Sequence, residues 1–216
     1  MTICLLPGLG YDCRIFDNLD LDDFKLIKLN WIEPLKNEHI NQYAKRLFHI
    51  VEPIKEPIIC IAHSMGGMIA QEIASIRKVN KIILISSIKS RPELPRSFKM
   101  VKPLKLDLFF NKEICINTVN FWGAKHGFTT LEDKALFKSM LGKQTNQYLR
   151  WALRTLSEWQ TPKTPADTVM IHIHGTADKT LPYRLVKKPD YTIENGSHIC
   201  VWKRADEISK IIRQII

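Results

Sequence analysis

Residues 58–67 of the chain read IICIAHSMGG, an apolar run that changes abruptly into a turn with two glycines. A continuously apolar run of this length predicts a strand buried on both faces of a sheet. A helix is predicted from about residue 66 to residue 76, so Ser64 falls on a sharp turn that exposes its hydroxyl. The small residues Ala62 and Gly66, two positions to either side, let strand and helix approach closely. A serine that begins a helix is otherwise often a cap, but the buried strand and the paired glycines favour a nucleophile.

The rest of the chain alternates apolar runs with segments of helical periodicity. Such strands, separated by helical crossovers, predict a mostly parallel sheet of about six strands with helices on both faces. The predicted strands are residues 3–6, 24–29, 58–62, 81–87, 169–174 and 190–193. A last helix is predicted over residues 205–215. An earlier amphipathic helix is defined by its apolar face and by two prolines at its end: Ile40, Tyr43, Ala44, Leu47, Phe48, Val51, Pro53 and Pro57.

Residues 88–160 break this alternation, because they contain helical patterns and aromatic side chains but no strand of the buried type. We therefore predict an α/β core formed by residues 1–87 and 161–216, with residues 88–160 inserted as a helical cap. Its aromatic residues are expected to form an apolar slot over the serine. The residues predicted to bind substrate in this slot are Phe121, Trp122 and Trp151.

The composition is that of an ordinary globular domain, with 216 residues, 45% of them hydrophobic and 25% charged. No apolar run reaches the roughly 18 residues that a membrane span needs, and the N-terminus lacks the basic segment of a signal peptide. Five cysteines cannot all pair within one chain, and Cys4 and Cys60 fall inside apolar strands. We therefore expect a cytoplasmic protein with reduced cysteines.

The net charge of +10 is concentrated in residues 88–160, which hold 13 lysines or arginines against six acidic residues. Solvated lysine faces are the simplest explanation, and an acidic partner or substrate is the alternative. The sequence contains no nucleic-acid-binding motif and no basic run interleaved with aromatic residues. Nucleic acid is therefore not an expected partner.

Two loops supply partners for a nucleophilic serine, which needs a base that is in turn oriented by a carboxylate. Asp178 follows the fifth predicted strand and His198 follows the sixth, and the carboxyl ends of parallel strands share one edge of a sheet. A carboxylate directly after the fourth strand would be another candidate acid, but residues 86–89 read SSIK. We therefore predict that Ser64, Asp178 and His198 form a catalytic triad.

Other polar residues near this site are assigned structural roles. His63 adjoins the serine, but neighbouring side chains on a tight turn point in different directions. His172 and His174 alternate on a strand, and two histidines without a carboxylate cluster are a weak metal signal. Neither a metal nor an organic cofactor is predicted. Loop, capping or packing roles are expected for Asp12, Asp17 and Cys13.

Over essentially its whole length the chain resembles the α/β-hydrolase superfamily, and in particular its small carboxylesterase-like serine hydrolases. Ser64 matches the nucleophile, Asp178 the acid after the cap, and His198 the base before the last helix, in the order that this fold uses. Residues 7–10, PGLG, resemble the His-Gly-x-Gly loop of many members. This match implies an oxyanion hole formed by the backbone N–H groups of Leu9 and Met65. Proline replaces the usual histidine of that loop, and the family's first two strands have no counterpart here.

The resemblance implies hydrolysis of a carboxylic ester or thioester of a small molecule through an acyl-enzyme. The basic cap leaves open a further partner, an anionic acyl donor or an acidic carrier protein, beside the simpler explanation that its lysines are solvated. Related members cleave amide, peroxy or C–C bonds with the same triad, so the reaction class stays open at this stage. The alternative function is that of a ligand-binding or receptor-like α/β-hydrolase with weak or vestigial catalysis.

Overall fold

A single sheet of six parallel strands organises the molecule. The computed structural model describes residues 1–49, 54 and 57–216. The strands are β1 (Thr2–Leu6), β2 (Lys25–Lys28), β3 (Ile58–His63), β4 (Lys81–Ile85), β5 (Val169–Gly175) and β6 (Tyr191–Ile193). Their order across the sheet is β2-β1-β3-β4-β5-β6, and every neighbouring pair is parallel. The predicted fold class is confirmed.

The helices connect these strands and form the segment that precedes β5. They are α1 (Ile40–His49), α2 (Met65–Ile76), α3 (Arg96–Lys99), α4 (Lys112–Trp122), α5 (Leu131–Gly142), α6 (Asn146–Glu158), α7 (Cys200–Lys203) and α8 (Ala205–Ile215). Short 3₁₀ helices lie at Cys13–Phe16, Arg91–Glu93, Leu106–Phe109, Gly123–His126 and Tyr183–Leu185. Residues 86–168, which the structure describes in full, contain helices but no strand.

The two central strands are buried along their whole length. Every residue of β1 and of β3 is buried, and since successive side chains point to opposite faces, both faces of the sheet are covered. Helix α2 packs against β1, β3 and β4 and also against α1. The uninterrupted apolar run at residues 58–62 therefore has a direct structural cause.

The predicted strands differ from the observed ones at their ends. The fourth predicted strand, residues 81–87, ends at Ile85 in the structure. The second predicted strand, residues 24–29, is shorter in the structure and spans Lys25–Lys28. As an edge strand, β2 has exposed or half-buried side chains, which explains its less apolar sequence. The predicted end of the first amphipathic helix, at Val51 and Pro53, lies outside the described residues. Among the described residues, no helix is both long and apolar enough to cross a membrane.

Candidate active site

Ser64 occupies a strained turn between β3 and α2. Its backbone has φ 53° and ψ −122°, a positive φ that non-glycine residues rarely adopt. A Cβ atom at Gly66 would overlap the backbone carbonyl oxygens of Leu6 and Pro7, so only glycine fits two residues after the serine. The Ser87 hydroxyl donates a hydrogen bond of 2.6 Å to the Ser64 carbonyl oxygen and braces the turn. The Ser64 hydroxyl makes no cap hydrogen bond to α2 and is therefore free to contact other side chains.

A line of short hydrogen bonds connects Ser64, His198 and Asp178. Nε2 of His198 lies 3.0 Å from the Ser64 hydroxyl oxygen, and Nδ1 of the same ring lies 2.8 Å from Oδ2 of Asp178. Because a carboxylate only accepts, Nδ1 carries the proton in this bond and Nε2 is left as the acceptor facing the serine. The structure thus brings together the three side chains that the sequence singles out, although they lie up to 134 positions apart.

Asp178 is held by the backbone of the loop that follows β5. Its Oδ1 accepts hydrogen bonds of 2.8 Å from the backbone N–H groups of Thr180 and Leu181. Burial alone would raise the pKa of Asp178, but His198, His174 and the Leu181 N–H outweigh it and hold this pKa below the usual 3.8. The carboxylate is therefore ionised at neutral pH and fixed in its orientation.

Three further histidines are buried near this line. His63 is fully buried and donates from Nε2 to the backbone carbonyl oxygen of His198, at 2.9 Å. Burial lowers the pKa of His63 to about 3, so this ring is neutral. His172 and His174 share one face of β5, with Nε2 of the first 3.1 Å from Nδ1 of the second. Nε2 of His174 donates to the Leu181 carbonyl oxygen at 2.8 Å, so these rings brace the loop that carries Asp178.

The loop after β1 and the first turn of α2 present backbone donors beside Ser64. Neither the Leu9 N–H nor the Met65 N–H has an acceptor among the described residues. Met65 is the first residue of α2, where N–H groups have no partner within the helix and the helix dipole favours negative charge. The indole Nε1 of Trp31 donates to the Gly8 carbonyl oxygen at 3.0 Å, which braces a loop that lacks the usual histidine.

A cavity of about 150 Å³ opens beside Ser64 and His198; we call it the Ser64 cavity. Trp122, one of the three aromatic residues predicted to bind substrate, lines it. The structure does not bring the other two there. Phe121 lies on the outer face of α4 and is 90% exposed, and Trp151 packs against Tyr43 and donates to the Glu38 carbonyl oxygen. Aromatic residues that the sequence did not single out as substrate-binding take their place: Phe98, Phe128 and Phe137.

A polar pair in the same cavity has no counterpart in the sequence-based prediction. Nδ1 of His126 lies 2.7 Å from the Thr180 hydroxyl oxygen, and both side chains line the Ser64 cavity. His126 belongs to the segment between β4 and β5, whereas Thr180 follows β5. No local motif marks either residue, since they lie 54 positions apart in the chain and meet only in the folded structure.

The fold and this arrangement define a parallel α/β protein with a serine, histidine and carboxylate aligned at the carboxyl edge of its sheet. The model of the alpha/beta hydrolase family matches residues 5–211. The chain belongs to the alpha/beta hydrolase family.

Solved structures extend this similarity to nearly the whole chain. An esterase from Exiguobacterium antarcticum is 13% identical with a TM-score of 0.78, over 100% of this chain and 91% of that one. A thermophilic esterase from Thermogutta terrifontis is 15% identical with a TM-score of 0.70, over 99% and 88% of the two chains. A bromoperoxidase from Bacillus anthracis is 13% identical with a TM-score of 0.72, over 99% and 90%. At such identities the likeness establishes the fold alone. No curated protein sequence gives a significant match.

Proposed function

We propose that this protein is a serine hydrolase that cleaves a carboxylic ester or thioester of a small molecule through an acyl-enzyme. The observation that carries the proposal is the hydrogen-bonded line from Ser64 through His198 to Asp178 at the wall of an apolar cavity. The esterases among the structurally similar proteins are consistent with it.

In the first half-reaction, the Ser64 oxygen attacks the substrate carbonyl carbon while Nε2 of His198 takes the serine proton. The negative charge that develops on the carbonyl oxygen is stabilised by the N–H groups of Leu9 and Met65. As the tetrahedral intermediate collapses, His198 gives the proton to the departing alcohol or thiol. Asp178 keeps the imidazole in its tautomer and stabilises the transient imidazolium. Water then attacks the acyl-enzyme with His198 as base, and the acid is released.

The test of this function compares the wild type with Ser64→Ala on an activated ester. Loss of the nucleophile is expected to lower kcat by on the order of 10⁴ to 10⁶. The alanine variant must keep the wild-type melting temperature, because the Ser64 side chain contacts His198 rather than the apolar core. A folded variant with more than a few per cent of the wild-type activity would exclude Ser64 as the nucleophile.

The second candidate is a ligand-binding protein with weak or vestigial catalysis. It predicts that a substrate analogue protects the folded wild type against heat while no acyl-enzyme forms during turnover. Burst kinetics with an activated ester separate the two candidates, because only acyl-enzyme formation releases one equivalent of the leaving group ahead of the steady state.

The excess positive charge of residues 88–160 supports a finer proposal: the acyl group is delivered by an anionic donor or an acidic carrier protein. The walls of the Ser64 cavity contain no lysine or arginine among the described residues, so this charge acts from outside the cavity. Long-range attraction of this kind weakens as the Debye length falls from about 10 Å at 0.1 M salt to about 3 Å at 1 M. We expect kcat/KM to fall with salt for an anionic ester but not for a neutral ester of equal length. If kcat/KM changes with salt equally for the two esters, the proposal of an anionic acyl donor is wrong.

A further inference from the structure

The side chains of His126 and Thr180 are hydrogen-bonded to each other and line the Ser64 cavity. The polar side chains on the walls of the Ser64 cavity are those of this pair and those of Ser64, His198 and Tyr11. The other walls are aromatic or aliphatic: Leu9, Phe98, Trp122, Phe128, Phe137, Leu153 and Leu156. A polar group that faces an apolar space is costly unless it has a hydrogen-bond partner.

Among the residues that the structure describes, one nitrogen of the His126 ring has such a partner and the other has none. Nδ1 pairs with the Thr180 hydroxyl at 2.7 Å, whereas Nε2 has no partner among the described residues. Thr180 is itself fixed, because its backbone N–H donates to Oδ1 of Asp178 at 2.8 Å. The imidazole is therefore held by one nitrogen against a rigid loop, and its second nitrogen is available to a ligand.

The charge state of His126 narrows the chemistry of that ligand. Burial lowers the pKa of His126 below 6.5, and His198 and Lys125 lower it further, so the ring is neutral at neutral pH. Its Nε2 is then a donor if the threonine hydroxyl donates to Nδ1, and an acceptor if Nδ1 donates to the threonine. A hydroxyl group satisfies Nε2 in either case, because it can both donate and accept. A carboxylate could bind only the tautomer in which Nε2 is the donor, and it would have no positively charged partner in the cavity.

The size of the cavity limits the rest of the ligand. An apolar cavity of about 150 Å³ in another protein holds a molecule the size of benzene, and the Ser64 cavity has about this volume. Drug-sized ligands fill roughly 300 to 1,000 Å³. The alcohol leaves in the first half-reaction, whereas the acyl group stays on Ser64 until water releases it, so we assign the Ser64 cavity to the acyl group.

We propose that the acyl group of the substrate is short and carries a hydroxyl, and that His126 binds this hydroxyl through Nε2. In this proposal, which rests on the hydrolase function proposed above, Thr180 acts as a positioning residue that orients the His126 ring. The pair selects the substrate and takes no part in proton transfer, since among the described residues neither side chain is hydrogen-bonded to the Ser64 hydroxyl.

The test compares two activated esters of equal shape, the 4-nitrophenyl esters of 3-hydroxybutanoic acid and 3-methylbutanoic acid. One net hydrogen bond changes kcat/KM by about tenfold, so the wild type is expected to prefer the hydroxy ester by about that factor. His126→Phe should abolish the preference, whereas His126→Gln, whose amide can still donate and accept, should keep part of it. Thr180→Val preserves the backbone N–H to Asp178 and should reduce the preference through loss of ring orientation.

Three outcomes would overturn recognition of the hydroxyl by His126. If the pair only ties the inserted segment to the sheet, His126→Phe will lower kcat/KM for both esters by the same factor, and the proposal is overturned. The proposal also fails if the wild type does not discriminate between the esters, or if Tyr11→Phe rather than His126→Phe removes the preference. Failure of the underlying hydrolase function gives a different result. In that case neither ester is hydrolysed and a small fluorophosphonate does not label Ser64. Melting temperatures of all variants verify folding, and Thr180→Val keeps the proposal testable should His126→Phe not fold.

Discussion

His63 fixes the backbone of His198 through a buried hydrogen bond. Its Nε2 donates to the carbonyl oxygen of His198 over 2.9 Å, and the two residues are 135 positions apart in the chain. His63 is also in edge contact with the Tyr11 ring, with centroids 5.2 Å apart. His63, which adjoins the candidate nucleophile, therefore positions the candidate base through its backbone. This agrees with the structural role that the sequence analysis assigns to His63.

Removal of this donor should affect both stability and turnover. In His63→Leu the His198 carbonyl oxygen stays buried without a partner, which costs about 1 to 3 kcal/mol of the free energy of unfolding. We also expect kcat to fall, because the loop that carries His198 is held less firmly. Urea unfolding and ester turnover measure the two effects, and the exposed His39→Gln is the matched control. Wild-type values of both quantities in His63→Leu would show that the hydrogen bond has no positioning role.

The glycine two positions after Ser64 provides a second prediction. A Cβ atom at Gly66 would meet backbone oxygens that cannot move aside, whereas one at Gly142 has nothing within 4 Å. We therefore expect Gly66→Ala to lower the melting temperature and to displace the Ser64 turn, with loss of activity. Gly142→Ala, near the end of α5, should be neutral or slightly stabilising, because alanine favours a helix. Equal melting temperatures for the two variants would contradict the close approach of strand and helix.

Asp178→Asn tests the role of the buried carboxylate. The asparagine side chain keeps the shape, and its oxygen can accept from the backbone N–H groups of Thr180 and Leu181 as Oδ1 does now. Its amide N–H then faces Nδ1 of His198, so the wrong imidazole tautomer is favoured. The expected fall in kcat is about 10⁴. Near-wild-type turnover in the asparagine variant would remove Asp178 from the mechanism.

The pH dependence of stability follows from the direction of the Asp178 pKa shift. Because this pKa is lowered in the fold, Asp178 contributes stability that is present above the unfolded value near 3.8 and is lost as pH falls through the lower folded value. The difference in unfolding free energy between the wild type and Asp178→Asn should therefore shrink at acid pH. Urea titrations at several pH values measure it, and a difference that grows on acidification would contradict the sign of the shift.

The sequence was sufficient to predict the sheet and the line of polar residues, because both depend on local signals. Buried parallel strands leave uninterrupted apolar runs such as residues 58–62, and each candidate triad residue directly follows such a run or lies in the next loop. The common carboxyl edge of a parallel sheet then brings the three loops together. The edge strand β2, whose sequence is less apolar because its side chains are exposed or half-buried, was predicted one residue too long at each end.

The walls of the Ser64 cavity could not be predicted in the same way. Whether Phe121 or Trp122 faces inward depends on the rotation of α4, and two adjacent residues on a helix point in different directions. Trp151 packs against Tyr43, whereas Leu153 and Leu156 of the same helix line the cavity. The pair His126–Thr180 is formed across 54 positions of chain and has no local pattern. These features depend on tertiary packing of the inserted segment.

The most direct test of the central claim is covalent labelling of Ser64. A small fluorophosphonate reacts with a serine only when a base activates its hydroxyl, and the added mass can be located by peptide mass spectrometry. The account predicts one equivalent of label on Ser64 in the wild type, none in Ser64→Ala, and much slower labelling when His198 is replaced by glutamine. Label on another residue, or equal labelling of the wild type and the His198→Gln variant, would contradict the claim that Ser64, His198 and Asp178 act as one catalytic unit.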